Sequence, residues 1–292
     1  MIRLRLSLEL DYEIAPPSCD FIFNIHAART ECQHVLQENL QISQNVATWV
    51  DTDPITRNRY LRLSGAPGPL TVSYNATVDL NHYVEQPGNI AEIPVSQLPT
   101  SVLGYIYPSR YCQSDRLLRL ATREFGHWQQ GYSRVQGIRD WVQQRIQFAQ
   151  NTSNSNTSAV DTLLETVGVC RDFAHLMIAL CRAVNIPARM ASGMDYGADP
   201  VLGPPDFHAY VEVYLSDGIS SRWFMFDPSG TAIPMGFVRF CTGRDAADIA
   251  FATIFGRINM MQPVISIQPV PNGRGELVTP QHVGYALSSD GP

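Results

Sequence analysis

No run in this chain of 292 residues approaches the roughly 20 apolar positions a membrane-spanning helix needs. A helical membrane protein is therefore not expected. Positive charge is also scarce, with a formal net charge of -6 and a pI near 5.6. Neutralising phosphates takes a basic face, so no nucleic-acid partner is expected. A polybasic stretch for anionic lipid is missing too, and no membrane partner is foreseen. The first residues alternate, Arg3-Leu4-Arg5-Leu6-Ser7-Leu8-Glu9-Leu10, which fits a half-buried strand and lacks the continuous apolar block of a signal peptide. A cytoplasmic protein is the resulting expectation, with the sequons at Asn75, Asn151 and Asn156 taken as chance.

The six cysteines, Cys19, Cys32, Cys112, Cys170, Cys181 and Cys241, include no C-x-x-C pair. That excludes a zinc ribbon and a disulfide framework. Cys32 with His34, and Cys170 with His175, fall short of the three or four ligands of a zinc site. A calcium loop fails where Asp51-Thr52-Asp53 runs into Pro54. No metal or cofactor is expected, and the oligomeric state is not legible.

What is present is a globular composition, 45% hydrophobic and 16% charged, over a length that suggests two domains. Residues 1–84 alternate strand and turn, as in a β-sandwich or small barrel. Residues 85–109, with Pro87, Gly88, Pro94, Pro99, Gly104 and Pro108, read as a linker. Helical spacing then starts at Ser114 and again at Ser133. A polar loop over 151–158 leads into a short helix, and Cys170 opens a helix apolar on nearly all sides that stops at Asn185, before Ile186-Pro187. Strands follow over Ala188 to Ser192, His208 to Leu215 and Trp223 to Asp227, the last two joined by a turn at Asp217-Gly218. Residues 110–270 form the second domain, closing on a strand near Val264 to Val270, and residues 271–292 are a polar tail.

Most of these cysteines should be inert buried hydrophobes, and Cys181 is read that way. Cys170 differs, because it follows a glycine break at a helix N-terminus, where free N–H groups and the dipole favour a thiolate. Together with a nearby imidazolium such a place can lower a thiol from about 8.5 into the range of roughly 3.5 to 7.5. His208 lies on the polar face of its strand, with Tyr210, Glu212 and Tyr214. If Leu215 opposes Ser220, His208 opposes Asp227 directly; if Leu215 opposes Arg222, the two are diagonal neighbours. Both registers leave them about 4.5 to 8 Å apart on one face. The chemistry that follows is attack by Cys170 on a carboxamide, proton transfer through His208, and orientation of that ring by Asp227. The Cys170 N–H is the first donor to the oxyanion; the second is not legible.

The blocks Thr157-Ser158-Ala159, Gly168-Val169-Cys170-Arg171-Asp172-Phe173-Ala174-His175, Asp206-Phe207-His208-Ala209 and Phe226-Asp227-Pro228 together resemble the bacterial transglutaminase-like cysteine proteases. The resemblance spans roughly residues 108–256. It implies an α+β, papain-like core of helices packed on an antiparallel sheet, a catalytic triad at Cys170, His208 and Asp227, and an all-β accessory domain ahead of it. The expected activity is hydrolysis of peptide or isopeptide-like amides in a peptide or protein substrate, through a thioester. Transfer of the acyl group to an amine, as in true transglutaminases, uses the same residues, and a noncatalytic scaffold is the alternative from another class. An acetyltransferase is disfavoured, since the R-G-G-x-C approach to the nucleophile is missing. Asp172 reads as a helix cap and His175 as a core histidine. The Arg110-Tyr111-Cys112 block is open between cleft lining and domain packing.

Overall fold

A computed structural model describes residues 1–198 and 206–291. The alternation read at the N-terminus becomes the strand Ile2–Ile14, which buries Leu4, Leu6, Leu8 and Leu10. It pairs antiparallel with Gly68–Leu80 along its whole length, and Gly68–Leu80 pairs in turn with Gln33–Ile42. A second sheet runs Thr48–Thr52, Arg59–Gly65, Cys19–Phe23 and Ala252–Phe255. Tyr12 of the first sheet meets Phe21 and Phe23 of the second, with ring centroids 5.2 and 6.0 Å apart. The all-β first half is thus a sandwich with an aromatic interior.

The sandwich takes strands from far down the chain. Ala252–Phe255 pairs with Cys19–Phe23, while Ile258–Met260 and Val264–Pro269 pair with Ile2–Ile14. The strand read near Val264 to Val270 therefore closes the first unit, although the sequence places it in the second. Its partner edge, Leu4 to Glu9, would otherwise stand unpaired, and an open edge of that length invites association.

The second unit is α+β. Helices Ser114–Phe125, Tyr132–Arg145, Ala159–Glu165 and Cys170–Ala183 cover one face of a four-stranded antiparallel sheet, ordered Ser221–Phe226, Phe207–Ser216, Ala188–Asp195, Phe237–Gly243. Helix Cys170–Ala183 is central, with Phe173 to Ala183 buried without a break. It ends where Asn185 turns left-handed, at φ 64°, a conformation asparagine tolerates better than most residues. Ala209, Val211, Val213 and Leu215 join the helices' apolar cluster, while Tyr210 packs with Phe237, Met225 and Leu287 on the other face.

That other face is polar, as the alternation implies, yet it is buried as well. Residues read as a tail cover it: Ala286–Ser288 pairs with Tyr83–Glu85, and Asp290 reaches Arg189 and Arg239 at 2.5 and 3.0 Å. Between those guanidinium groups lies Glu212, fully buried, 2.6 Å from Arg189 and 3.0 Å from Arg239. The segment 85–109 is likewise strapped down. Ala91 exchanges two backbone hydrogen bonds with Ser216, and Leu98 and Val102 are buried against Trp223. No helix among the described residues is long and apolar enough to cross a membrane.

Candidate active site

The chain approaches Cys170 through Val167–Gly168, which pairs in parallel with Gln147–Phe148. Gly168 is required there, because a Cβ would stand 2.7 Å from that of Asp172. Asp172 closes the helix start: one carboxylate oxygen accepts the Val169 N–H at 2.9 Å, the other the Ser153 hydroxyl at 2.9 Å. Arg171 donates to the same hydroxyl and to Asn154 O, so the polar loop over 151–158 is bound to the helix N-terminus. Asp172 is thus a cap. Asp172→Ala should cost about 1–3 kcal/mol in a urea melt, because it leaves the Val169 N–H and the Ser153 hydroxyl without their acceptor. Intact stability with lost activity would instead make Asp172 part of the chemistry.

Cys170 is the first residue of its helix, and it alone of the six cysteines keeps partial exposure. Its N–H, at the first helical position, has no acceptor within the helix and can face an oxyanion. Desolvation pushes the thiol up to about 12, opposed by backbone N–H groups of Ala209 and Arg171 and reinforced by Asp206 and Asp227. A lowered thiol was the expectation from the helix start. The difference arises because burial outweighs the helix terminus and the charged side chains that act on the thiol, Asp206 and Asp227, are carboxylates. The thiol's hydrogen-bond contact is the Phe207 carbonyl, at 4.0 Å.

Leu215 opposes Arg222 and Val211 opposes Phe226. This is the register that makes residues 208 and 227 diagonal neighbours. His208 Nε2 lies 3.4 Å from Asp227 Oδ1. Asp227 is itself fixed, since Oδ1 accepts the Ser229 N–H and hydroxyl at 2.9 and 2.6 Å and Oδ2 accepts the Ala232 N–H at 3.2 Å. Burial works against its charge, but the His208 ring and these donors hold it below the usual carboxylate range. Ser229 Oγ also comes within 3.5 Å of His208 Nε2. Asp-Pro-Ser-Gly is turn sequence whose side chains commonly bond nearby backbone, the one signal that could have pointed to Ser229.

Asp195 was missed altogether. The sequence reading ends its strand at Ser192, whereas the strand continues to Asp195, past a register irregularity at Gly193. Gly193 opposes His208 across the ladder, and Asp195, two residues on, shares that face. Its Oδ2 lies 3.6 Å from His208 Nδ1, and its Oδ1 accepts the Tyr210 hydroxyl at 3.0 Å. Burial raises Asp195 to about 7. Desolvation lowers His208, but Asp195 and Asp227 on either side of the ring outweigh it and bring the imidazole to about 9.

Cys170, His208 and Asp195 line one open cavity of about 870 Å³. Phe251 and Gln262, from the segment that returns to the sandwich, form part of its wall, and Phe251 stacks on Phe207 at 4.4 Å. Tyr111 lines it too and stacks on His175 at 5.0 Å, while Cys112 is buried, so the Arg110-Tyr111-Cys112 block serves both cleft and packing. His175 is a core residue: desolvation lowers it to about 3, and its Nε2 accepts the Ala246 N–H at 3.2 Å.

A cysteine at the start of a buried helix, sharing a cavity with a histidine that an adjoining antiparallel sheet carries and an aspartate pairs, is the arrangement expected of a transglutaminase-like core. Residues 120–228 match the model of the transglutaminase-like superfamily, and residues 2–101 that of the bacterial transglutaminase N-terminal domain. A solved structure from Cytophaga hutchinsonii, described as a "putative cysteine protease", is 36% identical over 98% of this chain and 97% of that one, with a TM-score of 0.89. The chain belongs to the transglutaminase-like superfamily. Among curated proteins, an uncharacterized protein of Mycobacterium leprae is 29% identical over 115 residues, 38% of this chain and 39% of that one. One of Mycobacterium tuberculosis is 28% identical over 109 residues, 35% of each. The matched region is thus well under half of either relative.

Proposed function

We propose that the protein hydrolyses amide bonds of peptides or proteins, with Cys170 as nucleophile, His208 as proton carrier and Asp227 as the group that orients the ring. The observation that carries this reading is the pairing of His208 Nε2 with Asp227, 3.4 Å apart, beside the cavity that His208 shares with Cys170. The likeness to the Cytophaga hutchinsonii protein, described as a "putative cysteine protease", supports it.

In the reaction, the Cys170 S–H proton passes to His208 Nδ1 and the sulfur bonds to the carboxamide carbon. The Cys170 N–H receives the developing oxyanion. The C–N bond then breaks, the leaving amine takes the proton from Nδ1, and a thioester remains. Water, deprotonated by His208, attacks the thioester, and the C–S bond breaks to return the thiol and a carboxylic acid.

The test is incubation of the pure protein with peptide libraries, with and without an added primary amine, and mass analysis of the products. The expected product is the free acid in both. All 21 basic side chains are arginine, so no lysine of the enzyme can act as acceptor and mask the added amine. A product carrying that amine would replace hydrolysis by acyl transfer.

A further inference from the structure

Asp195 has no part in the reaction written above, yet it sits on the ring atom that the reaction needs. With Nε2 turned to Asp227, the nitrogen left to exchange a proton with Cys170 is Nδ1. That atom lies 3.6 Å from Asp195 Oδ2, whereas the thiol's hydrogen-bond contact is the Phe207 carbonyl, 4.0 Å away. Tyr210 fixes the carboxylate through Oδ1. Oδ2 is buried with no hydrogen-bond partner, in a side chain only 1% exposed. A buried acceptor with no donor draws an available N–H, and that of His208 Nδ1 stands 3.6 Å away.

We propose that Asp195 is a positioning residue that holds His208 Nδ1 off Cys170 in the ligand-free protein, so that the resting site is a thiol beside a doubly paired imidazolium. This rests on the triad reading given above. The charges agree with it: against desolvation, Asp195 and Asp227 on either side of the ring both raise it, so it stays protonated up to about 9, and an imidazolium already carries both its protons and cannot accept a third from sulfur. The groups facing Asp195 are His208 and Tyr210 on the neighbouring strand and Asp227 beyond the ring. Asp195 also lines the cavity, so an entering donor can take over Oδ2; the ring, without that carboxylate, gives its Nδ1 proton to solvent and can then accept the one on sulfur.

The experiment is alkylation of Cys170 by N-ethylmaleimide, a probe without an N–H, at pH 7, followed by mass spectrometry. Tyr210→Phe alone keeps the carboxylate and should stay within about threefold of the native rate. Adding Asp195→Ala, which removes donor and acceptor together and so leaves neither unpaired, should raise the rate about tenfold over Tyr210→Phe. No gain, or a loss, overturns the proposal. His208→Ala, added to the Tyr210→Phe/Asp195→Ala variant, separates the two readings: loss of the tenfold gain shows that the freed ring acts on sulfur, and a gain that persists without the ring means that the triad itself is wrong. A measurement on the native protein covers the case in which the double variant does not fold. With labelled histidine, both ring nitrogens of His208 should carry protons at pH 7, and a bare Nδ1 would refute the latch.

Discussion

Cys170→Ala is expected to abolish peptide hydrolysis, with turnover falling by at least about 10³-fold. His208→Ala should cost nearly as much, and the double variant no more than either single one, because groups that act as a unit lose their effect together. The reason is chemical: without sulfur no thioester forms, and without the ring neither the thiol proton nor the leaving amine is served. Asp227→Asn should lose less, since it keeps volume while spoiling the orientation of the ring. It also disturbs the acceptor for Ser229 and Ala232, so its melting temperature needs to be read beside its rate. Undiminished hydrolysis by Cys170→Ala would remove the thiol mechanism altogether.

Glu212→Gln carries the largest expected effect on stability, about 3–5 kcal/mol, because it strips one charge from a buried cluster and leaves the others unbalanced. Arg189 and Arg239 are offset by Glu212 and Asp290 together, and Glu212 also accepts the Ser289 hydroxyl at 3.2 Å. In a protein of this size that corresponds to a drop of roughly 5–8 °C in Tm. Asp290→Asn should cost less, because the Asp290 side chain is 25% exposed and water replaces part of what it supplies. Calorimetry on the two variants checks the ordering; equal losses would mean that the cluster is not governed by burial.

The two effects fall on opposite parts of one strand. Along Phe207–Ser216, His208 faces the cavity near its start and Glu212 the ion cluster four residues later, both on the face away from the helices. The docked C-terminal segment therefore braces the same strand that presents the imidazole. Stability measured on Glu212 variants and rate measured on His208 variants together test whether that bracing reaches the site.

Local signals carried the helix Cys170–Ala183. Gly168 must be small to pass Asp172, and Asn185 before Ile186-Pro187 ends the helix, so both boundaries are written in adjacent residues. The His208–Asp227 hairpin was half legible. Alternation put both residues on one face, but two registers satisfied it. The turn chooses between them: Asp217 Oδ1 accepts the N–H groups of Ile219 and Ser220, and the ladder then starts with Ser216 opposite Ser221. Turn geometry of this kind sets register.

By itself, then, the sequence determined a superfamily, an all-β unit ahead of an α+β one, and three side chains whose order and local settings suit thiol chemistry. These properties depend on periodicity and on residues close together in the chain. The tertiary structure alone decided that residues 252–269 return to the sandwich, that the C-terminal residues neutralise a buried cluster, and that Asp195 meets the far side of the His208 ring. Each of these is a contact between segments distant in sequence, and such contacts leave no local pattern, because strand edges, buried charges and ring nitrogens acquire partners only when the chain has closed.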